Sequence, residues 1–68
     1  MKTIASERAL LGLSQADLAD RLGVSRQTVL RWESGAVIPP VPHLLAMSDL
    51  FGCSVDFLLG LTKERVIR

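Results

Sequence analysis

Three side chains in this 68-residue chain have both the type and the spacing to do recognition chemistry: Arg26, Gln27 and Arg31. A guanidinium donates two parallel hydrogen bonds to a guanine edge, and a glutamine amide pairs in the same bidentate way with adenine in the major groove. All three fall within the stretch SRQTVLRWES, which leaves Thr28 and Leu30 with them off the Val29–Trp32 seam. Gln15, at the start of the preceding helical stretch, can present its amide, beside free backbone N–H groups, to a DNA phosphate. Taken alone it reads as a solvated residue. Catalysis finds less support. His43 is the single histidine and Cys53 the single cysteine, and the carboxylates are scattered. No nucleophile–base pair and no metal-ligand spacing emerges, so no catalytic residue, metal or cofactor is expected. His43 reads as a surface residue near a helix start, and Cys53 as a small packing residue.

Side chains that read bases must be held by something rigid, and the surrounding sequence supplies it. Residues 15–34, QADLADRLGVSRQTVLRWES, read as two short helices around a tight turn. Leu18, Ala19 and Leu22 make one apolar face, and Val29 and Trp32 make another. Gly23 can take the left-handed conformation that ends a helix. Val24 plugs the angle, and Ser25 N-caps the second helix. Ala19 is small where the helices must cross. The spacing of Trp32 from Val29 places it in the core rather than against bases. This is the pattern of a helix-turn-helix, with the polar residues left at the start of the second helix. A surface helix with ordinary solvated charges is the plainer alternative. The full set of seam positions argues against it.

The rest of the chain follows as three more helices. Residues 2–11 form the first, with Ile4, Ala5, Ala9, Leu10 and Leu11 as its apolar face and Gly12 as its end. Arg8 interrupts that face and needs a partner, for which Glu33 is the candidate. Glu7 is expected to be a solvated charge. Leu13 anchors the connection, and Ser14 with Asp17 resembles a capping box at the next helix. The recognition helix spans residues 26–33. The segment 36–42, AVIPPVP, carries no charge and three prolines, so it stays out of regular structure, with Val37, Ile38 and Val41 covering the core edge. A fourth helix is expected over 42–51, with Leu44, Met47, Ser48 and Phe51 inward. A short fifth runs over 55–59, capped by Ser54, with Val55 and Leu58 inward and Phe57 and Leu59 incompletely covered. The tail 61–68 either frays or continues as a helix that pairs with a second subunit.

Length bounds the answer to one domain with a modest core. Net charge is only +1, which argues against a nonspecific nucleic-acid coat. It leaves room for a sequence reader whose charge is segregated onto one face. A lone cysteine provides no disulfide framework. There is no secretory signal pattern and no run long enough to span a membrane, so a cytoplasmic location is expected.

The chain resembles the Cro/C1-type helix-turn-helix family, the phage-repressor-like and Xre-like DNA-binding domains. Arg8, Leu13-Ser14-Gln15, Leu18-Ala19, Leu22-Gly23-Val24-Ser25, Val29, Trp32-Glu33, Gly35, Pro39, Leu44-Leu45 and Gly52-Cys53-Ser54-Val55 carry the resemblance. It implies an all-α, compact five-helix lambda-repressor-like domain over residues 1–60, with 61–68 as a short basic tail. It implies base reading by Arg26, Gln27 and Arg31, contacts to backbone or bases from Gln15 and Ser25, and an internal ion pair between Arg8 and Glu33. It implies double-stranded DNA as partner and homodimerisation through Cys53 to Leu59; the tail, from its own residues, is the other place where a second subunit would pair. One departure stands out. Family members commonly carry Lys or Arg in the loop after the recognition helix, and this chain carries AVIPPVP. Leu30 is also unusual on a DNA-facing side, where it would meet a thymine methyl or rest half exposed.

Two functions fit these residues. One is a dimeric transcriptional repressor of prokaryotic or phage type. The other is a protein-interaction module on the same fold, such as an antitoxin or co-regulator that needs a partner chain, motivated by the apolar surplus in residues 36–61.

Overall fold

The computed structural model describes residues 1–65. Those residues form five α-helices and no strand: α1 (Lys2–Leu10), α2 (Gln15–Leu22), α3 (Arg26–Ser34), α4 (Val41–Phe51) and α5 (Val55–Leu58). The expected all-α, five-helix architecture is the one observed.

Serine starts three of the helices. Ser14, Ser25 and Ser54 each hold an extended backbone and accept an N–H three residues on, from Asp17, Thr28 and Phe57. At α2 the exchange is reciprocal, because the Asp17 carboxylate accepts the Ser14 N–H at 2.9 Å. The backbone hydrogen bond from Ser14 holds the Asp17 carboxyl below its ordinary range. The help it gives α2 is therefore present at neutral pH and fades as pH falls through that lowered value. α4 begins at Val41, one residue before the expected start. Pro40 is the cap, and its carbonyl accepts the N–H groups of His43 and Leu44 at 3.0 Å each. Pro42, which has no N–H to lose, sits inside the first turn.

The core joins Ile4, Leu18, Ala19, Val29, Trp32, Leu44, Met47, Phe51, Cys53 and Leu58. α2 and α3 meet along Leu18, Ala19, Val29 and Trp32, all buried. The Val24 N–H closes the turn onto Ala19 O at 3.0 Å. α1 departs from expectation. Leu10 and Leu11 are exposed, at 74% and 48%, Ala9 is exposed and Ala5 half-buried. The inward stripe runs instead through Ile4, Glu7 and Arg8, spaced i, i+3, i+4. Glu7 is buried rather than solvated, because Arg65 pairs with it.

Two more expectations change. Val37, Ile38 and Val41 are exposed and do not cover the core edge; Pro39 is the loop residue that is buried. α5 ends at Leu58, leaving Leu59 outside it. In the tail, residues 61–65 neither fray nor form a helix. They turn back, and the Arg65 carbonyl accepts the Ser54 N–H at 2.8 Å. Residues 66–68, the rest of the expected basic tail, lie outside the described residues.

Gly23 ends α2 with φ 70°, and a Cβ added there would meet nothing within 4 Å. Its requirement is thus purely one of backbone conformation. Gly23→Ala should cost about 1–2 kcal/mol in urea unfolding, and Gly23→Asn less, since asparagine tolerates the left-handed region better.

Candidate nucleic-acid interface

Burial of Val29 and Trp32 sets the rotation of α3. At about 100° per residue, Arg26, Leu30, Gln27 and Arg31 then fan across an arc of about 140° on the opposite side. All four are exposed, with Leu30 at 44%. Among the described residues, no side-chain hydrogen bond or ion pair engages Arg26, Gln27 or Arg31. Ser25 and Thr28 are committed locally. Ser25 Oγ accepts the Thr28 N–H at 3.1 Å and shares a hydrogen bond with Thr28 Oγ1 at 2.9 Å. They shape the start of α3, and Arg26, Gln27 and Arg31 keep their donors available.

The far end of α3 is pinned by one carboxylate. Arg8 Nε donates to Glu33 Oε2 at 2.6 Å, and Arg8 Nη1 donates to the Leu13 carbonyl at 2.8 Å. Gln15 Nε2 donates to Glu33 Oε1 at 3.0 Å. Glu33 therefore ties α1, the α1–α2 turn and the start of α2 to the end of α3. The Arg8 and Glu33 side chains are only 19% and 9% exposed, so the pair is poorly screened by water. Gln15 is turned onto this pair, with one amide N–H already used. The Met1 amino group donates to the last α3 carbonyls, Trp32 O and Glu33 O, at 2.7 and 2.8 Å.

Beside α3 lies a cleft of about 300 Å³ lined by Val24, Thr28, Arg31, Trp32, Val37, Pro40 and His43. His43 is not the plain surface residue its sequence position suggests. It is half-buried, and its ring centroid lies 5.2 Å from that of Trp32 at a 43° tilt. The signal was its spacing: His43 stands four residues before buried Met47 and shares that face of α4. The loop after α3 brings Val37 and Pro40 to the cleft and carries no cation. No group of three or more His, Cys, Asp or Glu among the described residues is placed to hold a metal. No described helix is long and apolar enough to cross a membrane.

The family description "Helix-turn-helix" matches residues 4–58. The chain is similar to the transcriptional repressor RstR of the cryptic phage CTXphi of Vibrio cholerae. The two are 32% identical over 57 residues, 84% of this chain and 51% of that protein. It is 41% identical over 49 residues to an uncharacterized HTH-type transcriptional regulator of Methanocaldococcus jannaschii, 72% of this chain and 74% of that protein. Among solved structures it resembles the P22 c2 repressor in complex with synthetic operator 9T. The TM-score is 0.78 at 35% identity, covering 84% of this chain and 86% of that one. The chain thus spans about half the length of the Vibrio repressor and about three quarters of the archaeal regulator.

Removing Glu33 leaves Arg8 Nε and the Gln15 amide without their acceptor in a largely buried site, with only the Leu13 carbonyl still accepting from Arg8. Glu33→Ala should lower stability by about 3 kcal/mol. Adding Arg8→Met to it should recover most of that loss, as read by urea midpoints of the single and double variants.

Proposed function

Because the chain belongs to the helix-turn-helix family, we propose that it is a sequence-specific double-stranded DNA-binding transcription regulator that reads the major groove with α3. The observation that carries this reading is the arc of Arg26, Gln27, Leu30 and Arg31, exposed on the side of α3 opposite its buried seam. Arg26 and Arg31 supply forks for guanine, Gln27 an amide for adenine, and Leu30 an apolar contact for a thymine methyl. Ser25 and Thr28 stand at the end of α3 that enters the groove, where their oxygens can meet backbone or bases. The start of α2, at Gln15, faces a phosphate with its backbone N–H groups. The similarity to a P22 repressor bound to operator supports this docking. Nothing in this reading calls for catalysis, in keeping with a family of regulators rather than enzymes.

The proposed form of regulation is repression by a homodimer, and the low charge of a single domain favours pairing. The net charge is +1, and the loop after α3 lacks the cations that would grip phosphate. Two copies paired through residues 53–59 would set two reading helices about 34 Å apart, one turn of DNA. Such a regulator works in the cytoplasm. The second reading, a domain that captures a protein partner, draws on the exposed Val37, Ile38, Val41 and Leu45, at 47%, 69%, 65% and 55%. A monomer that binds DNA only weakly by itself would favour it.

The test is base preference. Duplexes selected from a random pool by the wild-type protein should contain an inverted repeat. Arg31→Ala should lose about 1–3 kcal/mol of discrimination at one base position in each half-site. Its urea midpoint should stay at the wild-type value, because Arg31 is exposed and unpaired among the described residues. Unchanged preference at every position would overturn the assignment of the reading face.

A further inference from the structure

After α5 the chain is directed back onto the domain. Gly60 adopts φ 76°, its N–H donates to Phe57 O, and the Leu61 N–H donates to Asp56 O at 2.9 Å, so the backbone reverses. Thr62 Oγ1 accepts the Glu64 N–H at 3.1 Å, a local turn that aims the next residue inward. Arg65 then lands where α1, α4 and the start of α5 meet. Its Nε and Nη2 donate to Glu7 Oε1, at 2.9 and 2.5 Å. Nη2 also reaches Phe51 O at 2.6 Å, and Nη1 reaches Gly52 O at 3.4 Å. With its carbonyl accepting from Ser54 N–H, one residue joins α1, the last carbonyls of α4 and the cap of α5.

The pair is asymmetric. The Glu7 side chain is 5% exposed and that of Arg65 is 44% exposed. Glu7 is held in place by its helix, and a buried carboxylate without a partner is costly. Arg65 faces water on one side and is the half that can leave. Directly beside them is Cys53, 5% exposed, its thiol pushed up by burial and by the Glu7 charge, with Arg65 acting in the opposite direction. Ser48 Oγ donates to the Cys53 carbonyl, so the whole α4–α5 junction is bonded through this corner.

We propose that residues 61–65 form a strap, latched by Arg65 on buried Glu7, that holds the start of α5 against α1 and α4 and gates access to Cys53. Opening the strap loosens residues 53–59 and leaves α3, which packs mainly on α1 and α2 and meets α4 through Trp32 and His43, in place. Its regulatory consequence rests on the reading that two copies pair through residues 53–59. Strap opening then sets DNA affinity without touching a base-reading residue.

The single cysteine makes the test direct. The full chain and its variants are exposed to a small thiol reagent under native conditions, and amide exchange at Ser54 and Val29 is followed in parallel. Arg65→Ala should raise the Cys53 labelling rate by about tenfold or more and strip protection from Ser54, with Val29 still protected. Arg65→Lys, which keeps charge but loses the planar fork, should fall between. If Arg65→Ala destabilises the whole domain, Glu7→Leu combined with Arg65→Ala keeps the corner apolar while leaving the strap without its latch. That double variant should also label fast and leave Ser54 unprotected. Wild-type labelling and exchange in a folded double variant would overturn the strap. In the same variants, weaker DNA binding with unchanged base preference is the expected coupling. A wild-type protein with no DNA preference would instead defeat the DNA-reading assignment, and the labelling result would still decide the strap.

Discussion

The buried α2–α3 seam, to which Ala19 contributes its small side chain, is the constraint on which the exposed arc of α3 depends. Ala19 is 2% exposed and Val29 is fully buried. A larger side chain at 19 would push the helices apart or force Trp32 off its site, since packed cores tolerate added volume poorly. Once Val29 and Trp32 are seated, α3 has no rotational freedom left. The positions of Arg26, Gln27, Leu30 and Arg31 follow from helix geometry alone. The exposed arc is thus a consequence of apolar packing on the opposite side of the same helix.

Two buried carboxylates complete the arrangement. Glu33 gathers Arg8 and Gln15 and ties the end of α3 to α1 and α2. Glu7 gathers Arg65 and ties the far end of the chain to α1 and α4. They sit on neighbouring elements of a molecule with few apolar contacts from α1, whose buried apolar residue is Ile4. Both contribute geometry as much as stability, because a buried ion pair gains little over a well-packed apolar pair but penalises any arrangement that separates it. One fixes the end of α3 and the other the junction of α4 and α5.

Much of this was legible from residue type and spacing. The serine caps, the glycine after α2 and the Leu18–Ala19 and Val29–Trp32 seam are local signals, and local physics decides them. The misplacements share a cause, which is long-range pairing. Leu10 and Leu11 look like core on a helical wheel, and Glu7 looks like surface. Glu7 is buried because Arg65, 58 positions away, folds back to meet it, and no periodicity contains that information. The proline-rich loop erred in the same way. Its three aliphatic residues suggested cover for the core, but Pro39 took that place and left Val37, Ile38 and Val41 outside. His43 lines the cleft because it shares a face of α4 with buried Met47, four residues on.

The central claim is that α3 presents its exposed arc to DNA. The most direct measurement is residue-resolved NMR of the isotopically labelled protein, titrated with its own selected duplex at moderate salt. The largest changes should centre on Arg26, Gln27, Leu30 and Arg31, with smaller ones at the start of α2 near Gln15. Changes centred on Val37, Ile38, Val41 and Leu45, with α3 undisturbed, would contradict the account.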